Sequence, residues 1–225
     1  MTISPYISRF IVYLRNNGCR ATGRRILQDV NRALFVNRTI LFYCDLSTLN
    51  CGSADLSSSV KVERRKSETE VDQVDLQKIV NFWNPKHTCR QVRERFEQGA
   101  SLWIIKSEGN LAGYGWSLQG RTIAPHYFPL GRNDVHLFDF LVFPQYRGRR
   151  MNPLLVTQIL CDLVPECRGR AFIEAAEWNH AQLSSLQRTP FRRLGGARKL
   201  AIFRRAIVGW DENGSTIGSE ASSGL

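Results

Sequence analysis

The stretch Phe138-Asp139-Phe140-Leu141-Val142-Phe143-Pro144-Gln145-Tyr146-Arg147-Gly148-Arg149-Arg150-Met151-Asn152-Pro153-Leu154-Leu155 decides the fold. Its first residues read as the end of a buried strand that starts at Val135 and stops before Pro144. Asn152 is a preferred N-cap residue and Pro153 suits the first helical position, so a helix is predicted over Pro153 to Leu163. Leu155, Ile159 and Leu163 give that helix an apolar stripe, and Pro165 stops it. The turn between strand and helix is basic. A glycine-containing turn that enters a helix N-terminus offers convergent N–H donors and positive dipole, which suits a diphosphate. Arg147, Arg149 and Arg150 add full charges, although the same run also reads as a solvated charged face.

Working outward, a strand (Ala171 to Glu177), a helix (Asn179 to Arg188) and a strand near Lys199 to Arg205 follow. Upstream lies an irregular loop over 119–134, carrying His126 and Tyr127 among Gly120, Pro125, Pro129 and Gly131. Before it come two strands, Ser101 to Lys106 and Leu111 to Leu118, joined hairpin-fashion by Glu108-Gly109-Asn110. Helices are predicted over Val74 to Trp83 and Thr88 to Gln98, split by Asn84-Pro85. A short strand at Ile40 to Cys44 precedes a polar loop from Ser47 to Ser59. Trp103, Trp116 and Trp178 fall in predicted strands and read as packing residues. Strand alternation separates Asp139 from His136, which share a face only if a bulge intervenes.

The N-terminal 44 residues hold seven arginines and one acid, Asp29. Apolar spacing at Tyr6, Ile7, Phe10, Ile11 and Leu14, and at Ile26, Leu27, Val30 and Leu34, predicts a basic helical hairpin. The division expected is 1–46 for this appendage and first strand, 47–208 for the main domain and 209–225 for a flexible Gly- and Ser-rich tail. The net charge of +11 favours anionic partners; the hairpin reads first as a helix pair packing its apolar stripe on the main domain, and second as one whose arginines rest on an anionic membrane surface. No apolar run approaches the length of a spanning helix. Six cysteines without a C-x-x-C pair argue against a zinc site and for reduced thiols in a cytoplasmic protein, peripheral at most to the inner membrane. No recognition-helix or zinc-finger pattern points to specific nucleic acid.

Val142-Phe143-Pro144 with Tyr146-Arg147-Gly148 resembles the strand, V-x-P start and R-x-x-G-x-G/A turn of the GNAT superfamily, the acyl-CoA-dependent N-acyltransferases. Asn179-His180-Ala181-Gln182-Leu183 through Phe191-Arg192-Arg193-Leu194-Gly195 is similar to that family's N-x-A-S-L…G-F-x-x-x-G segment. The resemblance covers about residues 100 to 207. The N-terminal hairpin matches only some bacterial members, linked to surface-polysaccharide synthesis. Arg150 and Asn152 stand where the family prefers small residues, Pro190 replaces a glycine, and Leu186 replaces a general-acid tyrosine.

The resemblance implies a mixed α/β fold with a central, mostly antiparallel sheet flanked by helices, preceded here by the basic hairpin. It implies acetyl-CoA or another acyl-CoA as co-substrate, with no metal, and attack of a primary amine on the thioester. Pantetheine would pair with backbone at Phe140, Leu141 and Val142, between two splayed strands. Arg147, Gly148, Arg149, Arg150, Met151 and Asn152 would hold the diphosphate, with Asn179 capping its helix, binding the cofactor, or both. Asp139 is the first choice for general base and Glu174 its rival; either carboxylate also reads as a structurally paired one. Tyr146, Ser184 and Ser185 are candidate proton donors to the thiolate. His126 and Tyr127 are candidate acceptor contacts. The acceptor expected is a small-molecule amine, an amino sugar in surface-glycan assembly being one class. The alternatives are a longer acyl chain carried on CoA or on acyl carrier protein, and a basic binding module that keeps the fold without the chemistry.

Overall fold

The computed structural model describes residues 38–51, 59–123, 126–202 and 205–210. The hairpin expected over the N-terminal segment and the tail beyond Trp210 lie outside them. The chain divides into two compact units. The described part of one is Ser67–Gln98, built on α1 (Gln73–Phe82) and α2 (Pro85–Glu97). Asp72 caps α1 by accepting from the amides of Val74 and Asp75, and Asn84 caps α2 through the amide of His87. Pro85 begins α2 three residues before the expected start, because a first-turn N–H has no helical partner to lose.

The other unit is an eight-stranded sheet with two helices. Its strands are β1 (Arg38–Asp45), β2 (Val60–Arg65), β3 (Ser101–Ser107), β4 (Asn110–Gln119), β5 (Val135–Val142), β6 (Arg170–Ala176), β7 (Arg192–Ile202) and β8 (Arg205–Trp210). They lie in the order β2-β3-β4-β5-β6-β1-β7-β8. Every neighbouring pair is antiparallel except β5 and β6. α3 (Met151–Leu163) crosses between these two, as a parallel connection requires, and α4 (His180–Leu186) follows β6. The expected mixed fold with a mostly antiparallel sheet is therefore present.

Several boundaries differ from those expected. The strand grouped with the N-terminal segment is an interior strand, pairing with β6 on one side and β7 on the other. β2 follows the polar loop, in a stretch to which the sequence assigns no element; it is a charged edge strand in which Lys61 and Arg65 both engage Glu63. The strand near Lys199 is instead a hairpin of β7 and β8, so ordered chain reaches Trp210. Trp178 falls past the end of β6 and is exposed, while Trp103 and Trp116 are fully buried. Cys51 and Cys161 form a disulfide with their Cα atoms 5.5 Å apart. That corrects the reading of all six cysteines as reduced thiols, and with it the thiol argument for a reducing compartment. No helix among the described residues is long and apolar enough to cross a membrane.

The sheet is covered differently on its two faces. Six apolar side chains of α3, among them Leu155, Val156, Ile159 and Leu160, are buried in one cluster with Trp103, Ile105, Leu137 and Ile173. At about 1.5–3 kcal/mol each, their burial contributes on the order of 10 kcal/mol gross. Leu183 and Leu186 of α4 join the same cluster. Phe172, next to Ile173 and so on the opposite face, belongs to a second cluster with Leu41, Leu194 and Ala197. Tyr127, Phe128 and Leu130 of the long loop pack on that second cluster.

Candidate active site

The site begins at the turn quoted first. After β5 a 3-10 turn (Pro144–Tyr146) leads through Gly148, at φ +78°, to Arg150, which is left-handed at φ 59° and immediately precedes α3. The helix starts at Met151, not Pro153, and Asn152 does not cap it: its side chain donates to Ser185 Oγ at 2.8 Å, tying α3 to α4. A left-handed arginine costs on the order of 1–2 kcal/mol, which the buried stripe of α3 outweighs several-fold. The amides of Gly148, Arg149, Arg150, Met151 and Asn152 donate to no acceptor among the described residues. A Cβ at Gly148 would meet nothing within 4 Å, so the turn opens onto free space. Arg147 bonds back to the Val142 carbonyl at 3.3 Å, and Arg149 lies over the Tyr146 ring at 5.8 Å. Arg150 is exposed. Met151 is buried, so it can offer a ligand only its amide.

Ahead of the turn, β5 carries a bulge. Trp116 pairs with Phe138 and Tyr114 with Leu141, so Gly115 alone faces both Asp139 and Phe140. Asp139, at φ 52°, takes the left-handed conformation that Asp tolerates better than most residues. The bulge is the interruption that the alternation argument required. It leaves Asp139 exposed and His136 buried.

On its other side β5 parts from β6. Their parallel ladder runs from Val135↔Ala171 to Leu137↔Ile173 and ends. β5 nevertheless continues to Val142 against β4, and β6 to Ala176 against β1. The result is a wedge whose open end, with Phe140, Leu141 and Val142 on one side, leads into the basic turn.

At the apex of the wedge, His136 Nε2 and Glu174 Oε2 are 2.8 Å apart. His136 is buried and its ring stacks on Phe138 at 5.3 Å. The loop brings in His126, its ring 5.0 Å from that of His136. Ligand atoms of His126, His136 and Glu174 all lie within 4.8 Å of one another. Two imidazoles and a carboxylate could in principle hold a zinc-class ion. Tetrahedral bonds of about 2.0–2.1 Å would hold ligand atoms some 3.3 Å apart, however, and the His136–Glu174 contact is shorter, as a hydrogen bond is. Burial raises the Tyr127 hydroxyl pKa above its ordinary value, against a hydrogen bond with Thr39 that lowers it and with help from the nearby Glu174 carboxylate, so Tyr127 stays protonated at neutral pH. His126 and Tyr127 also line a cleft of about 480 Å³ with Arg121, Phe128, Leu130 and Val208.

The structure thus gathers Glu174, His126 and Tyr127 and adds His136, which alternation alone had set against Asp139. It places Asp139 on the bulge instead. Asn179 caps α4, accepting from the Gln182 amide at 3.2 Å and donating to the Gln182 side chain at 3.0 Å. Leu186 is fully buried, Ser184 is exposed and Ser185 is engaged by Asn152.

No family model matches the sequence, and no curated protein does. Solved structures do resemble it. A tandem GNAT protein from the clavulanic acid biosynthesis pathway superposes with a TM-score of 0.52 at 16% identity, over 74% of this chain and 55% of that one. An acetyltransferase from the GNAT family of Colwellia psychrerythraea superposes with a TM-score of 0.52 at 12% identity, over 84% of this chain and 60% of that one. The chain thus spans less than two thirds of the length of these structures. Likeness at such identities is likeness of fold: wedge, bulge and turn belong to a chain with the GNAT fold.

Proposed function

We propose that the protein is an acyl-CoA-dependent N-acyltransferase, moving an acetyl or related acyl group to a primary amine of a small molecule. One observation carries the reading. The β5–β6 ladder stops at Leu137↔Ile173, and the strand beyond it runs straight into a turn whose five successive amides have no acceptor among the described residues. Backbone in the wedge suits an extended arm, and amides at a helix start flanked by arginines suit a diphosphate. A bound acyl-CoA would supply an electrophilic carbonyl and a thiolate leaving group.

The chain's own residues would do the rest. Glu174, at the apex, is the base this reading favours of the two expected: it takes the proton that the substrate ammonium must lose before the free amine can attack the thioester carbonyl. His136 fixes its orientation through the 2.8 Å contact. Asp139 is exposed on the bulge, where water competes for any proton it takes up. Leu186 carries no proton, so the thiolate would be protonated by Tyr146, by a serine of α4 or by solvent. Isothermal titration with acetyl-CoA tests the reading at its root. Saturable binding at micromolar to low-millimolar ligand is expected, followed by thiol release when an amine is added. No binding at millimolar ligand overturns it.

A further inference from the structure

Three side chains of metal-ligating type converge at the apex of the wedge: ligand atoms of His126, His136 and Glu174 all lie within 4.8 Å of one another. They come from the long loop, β5 and β6, so only the folded sheet assembles them. His136 is buried, and its Nδ1 is a buried atom with no hydrogen-bond partner among the described residues. A buried ring nitrogen left in that state is uncommon, and nothing ties the imidazole to a single tautomer. Its Nε2 stands 2.8 Å from Glu174, closer than two ligands of one ion, because a proton holds the pair together. An ion that takes the place of that proton widens the contact by about 0.5 Å, to the spacing that zinc bonds of about 2.0–2.1 Å impose. Glu174 is part exposed and His126 sits on a loop, so both can make the adjustment. His126 also lines the cleft, which gives an ion a path in.

We propose that His126, His136 and Glu174 form a site for a zinc-class divalent ion, and that the bound ion inhibits the protein by occupying Glu174. The inhibition rests on the reading of Glu174 as proton acceptor; the site itself does not. Two imidazoles and a carboxylate suit Zn²⁺, whereas Mg²⁺ and Ca²⁺ prefer oxygen ligands throughout. Zinc binds neutral imidazole and ionised carboxylate, so the proton between His136 and Glu174 passes to solvent as the ion arrives. A carboxylate committed to an ion no longer accepts the proton of a substrate ammonium. The turn and the wedge backbone contribute no ligand, so they keep their capacity for the acyl donor. Arg121 on the wall of the cleft opposes a second cation, which makes occupancy reversible.

The test separates binding from turnover. Zinc chloride is titrated calorimetrically into the full chain, free of any affinity tag and of acyl donor. A Kd at or below about 100 μM is expected, with a binding enthalpy that changes with the ionisation heat of the buffer because a proton is released. Magnesium chloride should give no binding. His126→Ala and His136→Gln should each weaken zinc at least tenfold, while His87→Ala and His180→Ala, which remove the other two histidines of the chain, should leave it within twofold. Cobalt(II) in the parent chain, which depends on no variant folding, should show visible bands without the intense thiolate band that Cys44, Cys89 or Cys167 would add. With acetyl-CoA and an amine present, zinc should lower kcat at least tenfold and leave acetyl-CoA affinity unchanged. A thiolate band, or zinc binding to His126→Ala and His136→Gln as tight as to the parent, overturns the site. Zinc bound there while acyl transfer proceeds at full rate overturns the inhibition. Absence of acyl transfer both with and without zinc overturns the catalytic reading and the inhibition with it, while zinc binding lost in the two variants still upholds the site.

Discussion

Two glycines of β4 hold the seam against which the bulge forms, and adding a methyl group to each should separate two kinds of steric failure. A Cβ at Gly115 would lie 2.4, 2.5 and 2.8 Å from three atoms of the Phe140 ring. Carbon atoms in good contact sit about 3.5–4.0 Å apart, so the overlap is roughly 1 Å and the ring must move. Phe140 is half-buried and can swing outward, so Gly115→Ala should cost about 1–3 kcal/mol. In a unit of this size that lowers Tm by roughly 2–10 °C. At Gly113 the new methyl would stand 2.5 Å from the Leu141 carbonyl oxygen. A backbone oxygen cannot step aside without opening the Tyr114↔Leu141 and Gly113↔Val142 pairs, so Gly113→Ala should cost more than Gly115→Ala. Urea unfolding of both variants gives the order. In the double variant Gly115→Ala/Phe140→Ala the clash is gone, and a favourable coupling of about 1 kcal/mol or more is expected. Gly115→Ala should also weaken acetyl-CoA binding, because the ring it displaces belongs to the wedge. The reasoning fails if Gly115→Ala is unfolded no more easily than the parent, if Gly113→Ala is the milder change, or if the double variant shows no coupling.

Glu174→Gln keeps a hydrogen-bond partner for His136 but cannot accept a proton, so kcat should fall by about 10²–10⁴ with acetyl-CoA affinity unchanged; steady-state kinetics and calorimetry on one preparation decide it. Arg150→Gly relieves left-handed strain while loosening the unfolded chain, so stability should stay within about 1 kcal/mol. Its acetyl-CoA affinity should fall several-fold at low salt and less at high salt, which a salt series reads directly. Reducing the Cys51–Cys161 bond, which closes a loop over a sequence separation of 110, should cost about 2–4 kcal/mol, measured as the urea midpoint with and without reductant. The Glu63 carboxyl sits below its ordinary 4.5, first through its hydrogen bond to Lys61 and then through Arg65 and neighbouring cations, against opposing burial. A depressed folded-state pKa stabilises fully above about 4.5, and that contribution is lost as pH falls through the folded value. Glu63→Gln should therefore lose less stability than the parent between pH 6 and pH 3.

The strand, turn and helix around Pro144 were legible because each part carries its own local signal: an apolar run, a proline stop, a glycine and a 3.6-residue stripe. The helix start was misjudged by two residues because Asn152 looks like a cap, yet its side chain is claimed by Ser185, a partner 33 positions away. β2 escaped notice because Val60-Lys61-Val62-Glu63-Arg64-Arg65 has the charge of a solvated loop; it is a strand because β3 offers it an edge, and Arg64 is drawn over Trp103 and onto Glu166. His136 was set against Asp139 by an alternation that holds only in regular strands. A single extra residue opposite Gly115 breaks it, and nothing in Phe138-Asp139-Phe140 announces a bulge. The approach of His126 depends on how a 16-residue loop folds back over Phe172, and no spacing encodes that.

The position of β1 also bears on how the protein comes into being. Asp45 pairs with Arg170 and Arg38 with Arg198, so the first strand of the sheet is flanked by two of the last to be made. At a synthesis rate of about 5–20 residues per second, it leaves the ribosome and waits on the order of ten seconds for a neighbour. Until then Ile40-Leu41-Phe42 stands as a bare apolar ribbon with both edges open, a template for the wrong chain. The strand that bears Glu174 gains its antiparallel neighbour only when β1, made long before it, folds back onto it, so the surroundings of that carboxylate are completed late in folding.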